Sequence, residues 1–368
     1  MILDPPQSAD CTQQVQSALD ANAEVVLPED HDYPVKMVQV RKPQNKLRLD
    51  AGASLIGTTY EYADSKALLV AETAEHVEIS GEGSVVVFHD DRYAGQHRPC
   101  VQIAGGSIGT HISGVQLSSA HGDGITIHAE PDQPPPRDIQ IVGVTANRCW
   151  RNGISVSCVD GLDIEDCVLT CSRGVAAMAG LAIEPDIPAH VVRRLRMTDS
   201  QLTGHERYAF QVQLMKHGEQ VDAQLKNCHL QSLGRPTGVY PSSTVGIFSA
   251  PPAGDNARII FDRCIIDGGE GPIVWLKDVA GSDVLFVDCE FRRGLGKCER
   301  GDLRVEWSDE LPADKVGSLT LVNCRSPHED FDVRLVGPEG KCHGLRGTIR
   351  RPGKQVRVER TWIDLIGV

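Results

Sequence analysis

Ala223-Gln224-Leu225-Lys226-Asn227-Cys228 returns downstream as Ile259-Ile260-Phe261-Asp262-Arg263-Cys264, Val284-Leu285-Phe286-Val287-Asp288-Cys289 and Leu319-Thr320-Leu321-Val322-Asn323-Cys324. Each copy is a short β-type run that ends in a polar residue followed by cysteine. Upstream, Leu162-Asp163-Ile164-Glu165-Asp166-Cys167 fits the same phrase, as does the run from Ile139 to Asn147-Arg148-Cys149. A few polar residues then turn the chain, and a second short strand follows a glycine, as in Gly153-Ile154-Ser155-Val156 and Gly180-Leu181-Ala182-Ile183. The copies recur at irregular intervals, mostly about 25 to 36 residues, with no long helical pattern between them.

Short strands at this spacing cannot bury an apolar face within one copy. They must stack, which is the pattern of a parallel β-solenoid. In a solenoid, residues at equivalent places form columns, so Cys149, Cys167, Cys228, Cys264, Cys289 and Cys324 are expected in one inward column. A buried free thiol packs much as a small hydrophobe does. No Cys-x-x-Cys pair exists, and whole-coil spacing does not converge ligands on one ion, so no metal site is expected from the cysteines.

The composition agrees. The chain has 368 residues, 36 of them Gly, with 40% hydrophobic but only 5% aromatic residues, which suits a narrow core of small and branched aliphatic side chains. Length alone suggests two or three domains, whereas a stacked solenoid accounts for the whole chain as one. The net charge of −13 argues against a nucleic-acid partner, which needs a basic footprint. No apolar run approaches the ~18 residues that span a bilayer, so no membrane partner is expected. Met1-Ile2-Leu3-Asp4 lacks a basic n-region. A secreted or periplasmic protein whose leader has been removed is expected, with a cytoplasmic location the alternative.

Residues 8–20 carry apolar positions at Val15, Ala18 and Leu19 and read as a short amphipathic helix, with Ser8 and Asp10 available as caps. Such a helix would cover the first coil. It is followed by Glu24-Val25-Val26-Leu27-Pro28 and by Lys46-Leu47-Arg48-Leu49-Asp50-Ala51-Gly52-Ala53-Ser54-Leu55-Ile56-Gly57. This order resembles the N-terminal cap and first coils of the pectin-lyase-like superfamily, which includes polygalacturonase-type glycoside hydrolases and pectate-lyase-like proteins. Val77-Glu78-Ile79-Ser80-Gly81-Glu82-Gly83 and Gly122-Asp123-Gly124-Ile125 are similar to two of its coil signatures. The resemblance implies an all-β fold, a single right-handed parallel β-helix with a short N-terminal capping helix. Residues 1–368 would then be one domain, with coils over about 46–325 and a closing segment over 326–368. It also implies a polysaccharide substrate and admits a homotrimer. The catalytic signatures Asn-Thr-Asp, Gly-His-Gly and Arg-Ile-Lys are absent, so no catalytic residue is carried over.

Candidate chemistry comes from the strands that follow each glycine turn, Ile125–His128, Ile154–Ser157, Leu181–Glu184, Phe210–Gln213, Ile247–Ala250, Val274–Lys277 and Leu303–Glu306. Alternation turns every second residue outward, and stacking repeats each position at ~4.8 Å. One outward column is then Thr126, Ser155, Ala182, Gln211, Phe248, Trp275 and Arg304. The other is His128, Ser157, Glu184, Gln213, Ala250, Lys277 and Glu306. Phe248 and Trp275 suit stacking on sugar faces or packing under a loop, and Gln211 and Gln213 suit bonding to hydroxyls.

Glycoside hydrolysis needs two carboxyl groups. Glu184 and Asp186 flank a stiffening Pro185, and Asp123 lies in a turn two coils earlier, with Asn152 in the equivalent turn between. Asp123, Glu184 and Asp186 are the catalytic candidates, although Asp123 equally fits a cap on a Gly-x-Gly turn. His128, Asn152, Arg207, Tyr208, Gln211, Gln213, Lys216, Phe248, Trp275 and Lys277 are the candidates for substrate binding. Arg207, Tyr208 and Lys216 alternatively form a lyase or epimerase site acting on a uronate. A glycan-binding β-helix without catalysis is the third reading. No cofactor is expected; calcium would need clustered oxygens, and only loose acid pairs occur.

Overall fold

The computed structural model describes residues 1–57, 67–87, 97–119, 121–214, 220–235, 242–249, 256–279, 282–294, 301–307, 318–329, 331–336, 344–351 and 354–360. These form right-handed parallel β-helix coils in two compact units, Met1–Leu181 and Ala182–Val368. Among the described residues no helix is long and apolar enough to cross a membrane.

In the first unit each full coil supplies three short strands, for example Arg137–Val142, Thr145–Asn147 and Ile154–Val156. Coils pair in parallel, so like positions stack. Val25, Leu47, Ile79, Ile112, Ile141 and Ile164 form one continuous inward column. All six are 0–1% exposed. Leu69, Val101, Ile125 and Ile154 form another on the opposite wall. β-Branched and leucyl side chains suit this arrangement because each packs on its own kind above and below. The one helix among the described residues, Thr12–Ala21, buries Val15, Ala18 and Leu19. It starts later than its sequence pattern suggested. Asp10 Oδ1 accepts the Thr12 backbone N–H at 3.0 Å and the Thr12 hydroxyl at 2.6 Å, which satisfies a donor at the helix start.

The second unit has a different core. Met197, Leu225, Phe261, Phe286 and Leu321 stack in register. The Phe261 and Phe286 rings lie parallel with centroids 4.6 Å apart, and Phe210 and Phe291 meet this pair edge-on. The stacked phenylalanines are therefore concentrated here, and the core of small and branched aliphatic side chains expected from composition describes the first unit better, where Tyr33 is a fully buried exception. The unit ends in a hairpin. Gly344–Arg351 pairs in parallel with Ser318–Arg325, and Lys354–Arg360 runs antiparallel to it, so the last coil is covered by a strand of opposite direction.

The repeated cysteine phrase marks one corner of the coil. Asp199, Asn227, Arg263, Asp288 and Asn323 all take φ between 50° and 54°, and the residue that follows each turns inward. Asn and Asp tolerate this left-handed conformation better than other non-glycine residues. In the first unit Gly114, Gly143 and Asp166 stand at the equivalent corner. Cys228, Cys264, Cys289 and Cys324 are 0–2% exposed. Each donates to the carbonyl two residues back and to one in the preceding coil, and Cys167 does the same in the first unit. Cys149 departs from the expected column. Its phrase is the same, but the left-handed residue Arg148 follows the next strand of the coil, Thr145–Asn147, so the thiol lies at a different corner beneath Gly124.

Burial pushes the Cys149 thiol up to about 12 and that of Cys167 up to about 11. Thiol–thiol hydrogen bonds, with burial added, push Cys264 and Cys324 well above the ordinary range. An unfolded thiol ionises near 8.5. The stability contributed by Cys149 and Cys167 is thus fully present below about pH 8.5 and is lost as pH rises towards about 12. Alkaline denaturation should begin in that window, and Cys149→Ala should flatten its slope; pH-dependent urea melts read this directly. Asn227→Val should cost about 1–3 kcal/mol by forcing a β-branched residue into the left-handed corner, whereas Asn227→Gly should be nearly neutral in the same melts.

Candidate functional site

In the first unit, Asp123 is 2% exposed and both of its oxygens are engaged. Oδ1 accepts the Asn152 N–H at 2.9 Å; Oδ2 accepts the Thr126 hydroxyl at 3.1 Å and Arg151 Nη1 at 3.2 Å. Asn152 repeats the device one coil on. Its Oδ1 accepts the Ala179 N–H at 2.9 Å, and its Nδ2 donates to Ser155 Oγ at 2.8 Å. The same corner recurs in the second unit. There Asp302 Oδ2 accepts the Asp332 N–H at 2.7 Å, while Arg293 grips both oxygens. A corner acid that takes the next coil's amide and one arginine is therefore a structural element of this chain. Asp123 shares the next-coil amide and the arginine, though its arginine reaches one oxygen only and Thr126 supplies a third donor. His128 lies on the outward face nearby, with Nε2 2.8 Å from Gln102 Nε2.

In the second unit the outward columns differ from the sequence alignment in one place. Val245 pairs with Phe210 and with Val274, so Gly246 stands between Gln211 and Trp275. Phe248 moves to the other column, between Gln213 and Lys277. The strand begins two residues earlier than its glycine suggests because Gly246 is inside the strand and not at its turn. The first column is thus Gln211, Gly246, Trp275, Arg304 and Arg334, and the second is Gln213, Phe248, Lys277, Glu306 and Val336.

Gly246 is needed where it stands. A Cβ there would lie 2.7 Å from the Phe248 ring and 2.8 Å from that of Tyr208. The two rings meet edge-on at 5.7 Å, and Phe248 meets Trp275 edge-on at 5.3 Å. Simple alternation would bury Tyr208 beside Phe210. Instead the Ala209 and Phe210 N–H groups both donate to the Thr244 carbonyl, a bulge that resets alternation and turns Tyr208 onto this face.

Arg207 and Tyr208 act as a unit. Arg207 Nη2 donates to the Tyr208 hydroxyl at 3.0 Å, and its guanidinium lies 4.9 Å from the ring centre. Burial pushes the Tyr208 hydroxyl up, and Arg207 opposes that shift. Gln211 Nε2 donates to Gln213 Oε1 at 3.0 Å. Arg304 pairs with Glu306 at 3.0 Å and reaches over Trp275. Lys277 is half-exposed, and Lys216 lies outside the described residues.

Glu184 and Asp186 follow the strand Ala179–Ile183, which neighbours Tyr208–Leu214 in the sheet. Glu184 is half-exposed, Pro185 is buried and Asp186 is exposed. The Asp186 N–H donates to Nδ1 of the buried His190 at 3.2 Å, which fixes the turn. Among the described residues no group of three or more His, Cys, Asp or Glu is arranged to hold a metal ion. Gly246 and the bulge at Ala209 were missed from sequence, and the glycine inside a β-branched run was the available signal.

No family model and no curated protein matches this chain. Among solved structures it is similar to a tailspike protein double mutant of Escherichia coli bacteriophage HK620, with TM-score 0.58 and 12% identity over 94% of this chain and 62% of that one. It is also similar to full-length tailspike protein 2 of Escherichia coli O157:H7 bacteriophage CAB120, with TM-score 0.54 and 10% identity over 92% and 40%. PfbA, a surface adhesin of Streptococcus pneumoniae, gives TM-score 0.50 and 12% identity over 95% and 91%. The chain spans 62% and 40% of the two tailspikes' lengths. At these identities the likeness is one of fold.

Asp123→Ala should strand Arg151 and the Asn152 amide and cost about 2–4 kcal/mol. Urea melts measure that loss. Activity or binding per folded molecule should persist, and its abolition without loss of stability would reverse the structural assignment.

Proposed function

We propose that the protein is a carbohydrate-active enzyme that binds an oligo- or polysaccharide on the outward face of the second unit and cleaves a glycosidic bond there with Glu184 and Asp186. One observation carries the reading. Two carboxylates follow the strand Ala179–Ile183, which neighbours Tyr208–Leu214 in the sheet. Tyr208–Leu214 and the next two coils carry three aromatic rings, flanked by two glutamines and a lysine. Aromatic faces bind the C–H surfaces of sugars, amide side chains match hydroxyls, and paired carboxyl groups supply the acid and the base or nucleophile of hydrolysis.

Asp123 is left out of the pair, since its oxygens already hold three donors. Phe248, Lys277, Gln213 and Gln211 are assigned to substrate binding, with Trp275 beneath them. His128 and Asn152 belong to the first unit, where Asn152 supports the corner. The net charge of −13 disfavours a strongly anionic glycan and with it a uronate substrate. The likeness to tailspike proteins supports the β-helix scaffold on which this reading places the site.

The contact between Arg207 and Tyr208 favours a second reading, β-elimination, because a tyrosine held by a guanidinium can shuttle the proton beside a uronate carboxylate. The likeness to an adhesin keeps binding without cleavage as the third.

A polysaccharide panel followed for reducing ends, for absorbance near 235 nm and for product mass separates these. Hydrolysis gives new reducing ends without absorbance, and intramolecular transfer gives a cyclic product. Elimination gives the absorbance, and an adhesin gives binding with neither. Glu184→Gln and Asp186→Asn should each lower kcat by at least ~100-fold with little change in binding. Full activity in both variants would refute the assignment.

A further inference from the structure

The first outward column of the second unit holds two polar atoms that the fold leaves unmatched. Gln211 is 4% exposed and Trp275 is 7% exposed. Gln211 Oε1 and Trp275 Nε1 are both buried with no hydrogen-bond partner among the described residues. They are an acceptor and a donor. Burying either without a partner costs roughly 1–3 kcal/mol, so native proteins rarely leave them so. The two side chains stand two coils apart in one column, roughly 10 Å between backbones, and the position between them is Gly246.

The orientation of the glutamine amide is tied down, because its Nε2 is spent on Gln213 Oε1. Its carbonyl therefore remains for something else. Trp275 is wedged between the edge of Phe248 and the guanidinium of Arg304, so its N–H cannot turn away to solvent without losing both contacts. The half-exposed Phe248 ring fills the space over Gly246, edge-on to Tyr208 and Trp275, so opening that space requires this ring to swing outward.

We infer that this column recognises the acetamido group of an N-acetylated amino sugar. The inference rests on the carbohydrate reading above and names the substrate class for the same face. A trans secondary amide points its N–H and its C=O in opposite directions. Placed over Gly246, it donates to Gln211 Oε1 on one side and accepts from Trp275 Nε1 on the other. Phe248 moves aside, and its ring and that of Tyr208 take the methyl group. A hydroxyl at the same carbon is too short to reach both atoms. A neutral sugar with an amide also suits a chain of charge −13.

The test uses two probe pairs that differ only at this group: triacetylchitotriose against cellotriose, and methyl N-acetylgalactosaminide against methyl galactoside. Binding to the full chain is read by saturation-transfer NMR and by titration of tryptophan fluorescence. N-Acetylglycine amide is added as a non-sugar amide. At least one acetamido member should bind ~10-fold or more tightly than its hydroxyl partner and than the acetylated peptide. Trp275→Phe keeps the ring and removes the N–H, and Gln211→Met removes the carbonyl at similar volume. Each should erase most of that preference while leaving residual sugar binding. Trp275→Phe should not lower the melting temperature of the free protein, since the indole N–H has no bond to lose, whereas Gln211→Met also gives up the bond to Gln213 and is read against Gln213→Met, which loses that bond and keeps the Gln211 carbonyl and with it the preference.

Equal binding within both pairs, with sugar still bound, overturns the acetamido assignment and leaves the carbohydrate reading intact. Equal binding of the acetylated peptide overturns the sugar as its carrier. Preference that survives in both folded variants overturns the two named atoms. Absence of binding to these probes and to every polysaccharide of the panel overturns the carbohydrate reading together with this inference.

Discussion

Everything in this molecule follows from parallel pairing of each coil with the next. A parallel strand has no tight return to its partner, so the chain must travel around a full coil before the next strand can pair. Once it has done so, the vertical neighbour of any residue is its counterpart in the adjacent coil, and inward positions become columns. A column tolerates residues that stack on their own kind. Isoleucine serves in the first unit, and phenylalanine and cysteine serve in the second. The hydrogen bonds that fix the register also fix which side chains face out, and so they decide the composition of any binding face.

Corners are the second constraint, because flat sheets must be joined at sharp angles. The chain meets this need in two ways. One is a left-handed residue followed by an inward side chain, as at Asn227-Cys228 and Asp288-Cys289. The other is an acid or amide that accepts the backbone N–H of the next coil, as at Asp123, Asn152 and Asp302. Both devices use residue types that also serve in catalysis and metal binding. An aspartate in a Gly-Asp-Gly turn therefore invites a catalytic reading, yet like Asp302, a corner in the other unit, it is engaged by the next coil's amide and an arginine.

These constraints explain which features were legible in the sequence. The inward alternation of Ile125, Ile127, Ile154, Val156, Phe210 and Val212 was readable because every residue obeys one rule, and all six are fully buried. The corner phrase was readable at Cys228, Cys264, Cys289 and Cys324 for the same reason. Cys149 misled because two corners of the coil use the same pairing of a left-handed residue with cysteine. Phe248 misled because glycine marks a turn in most coils, whereas Gly246 makes room for rings inside a strand. Tyr208 needed a bulge that sequence does not announce, since it arises from two N–H groups sharing the Thr244 carbonyl.

The same logic accounts for fold neighbours at only 10–12% identity. Coil geometry constrains inward residues by shape and corners by backbone conformation, and many sequences satisfy both. The outward face is constrained by neither, so it is free to diverge with whatever it contacts. Departures from the fold's needs on that face are therefore the more informative positions. Gly246 weakens a strand interior, and Gln211 and Trp275 bury polar atoms without partners among the described residues. None of these stabilises a β-helix. They lie in three successive coils, the first of them beside the strand Ala179–Ile183 that Glu184 follows, and a stability cost taken on an outward face is what a binding site imposes on its scaffold.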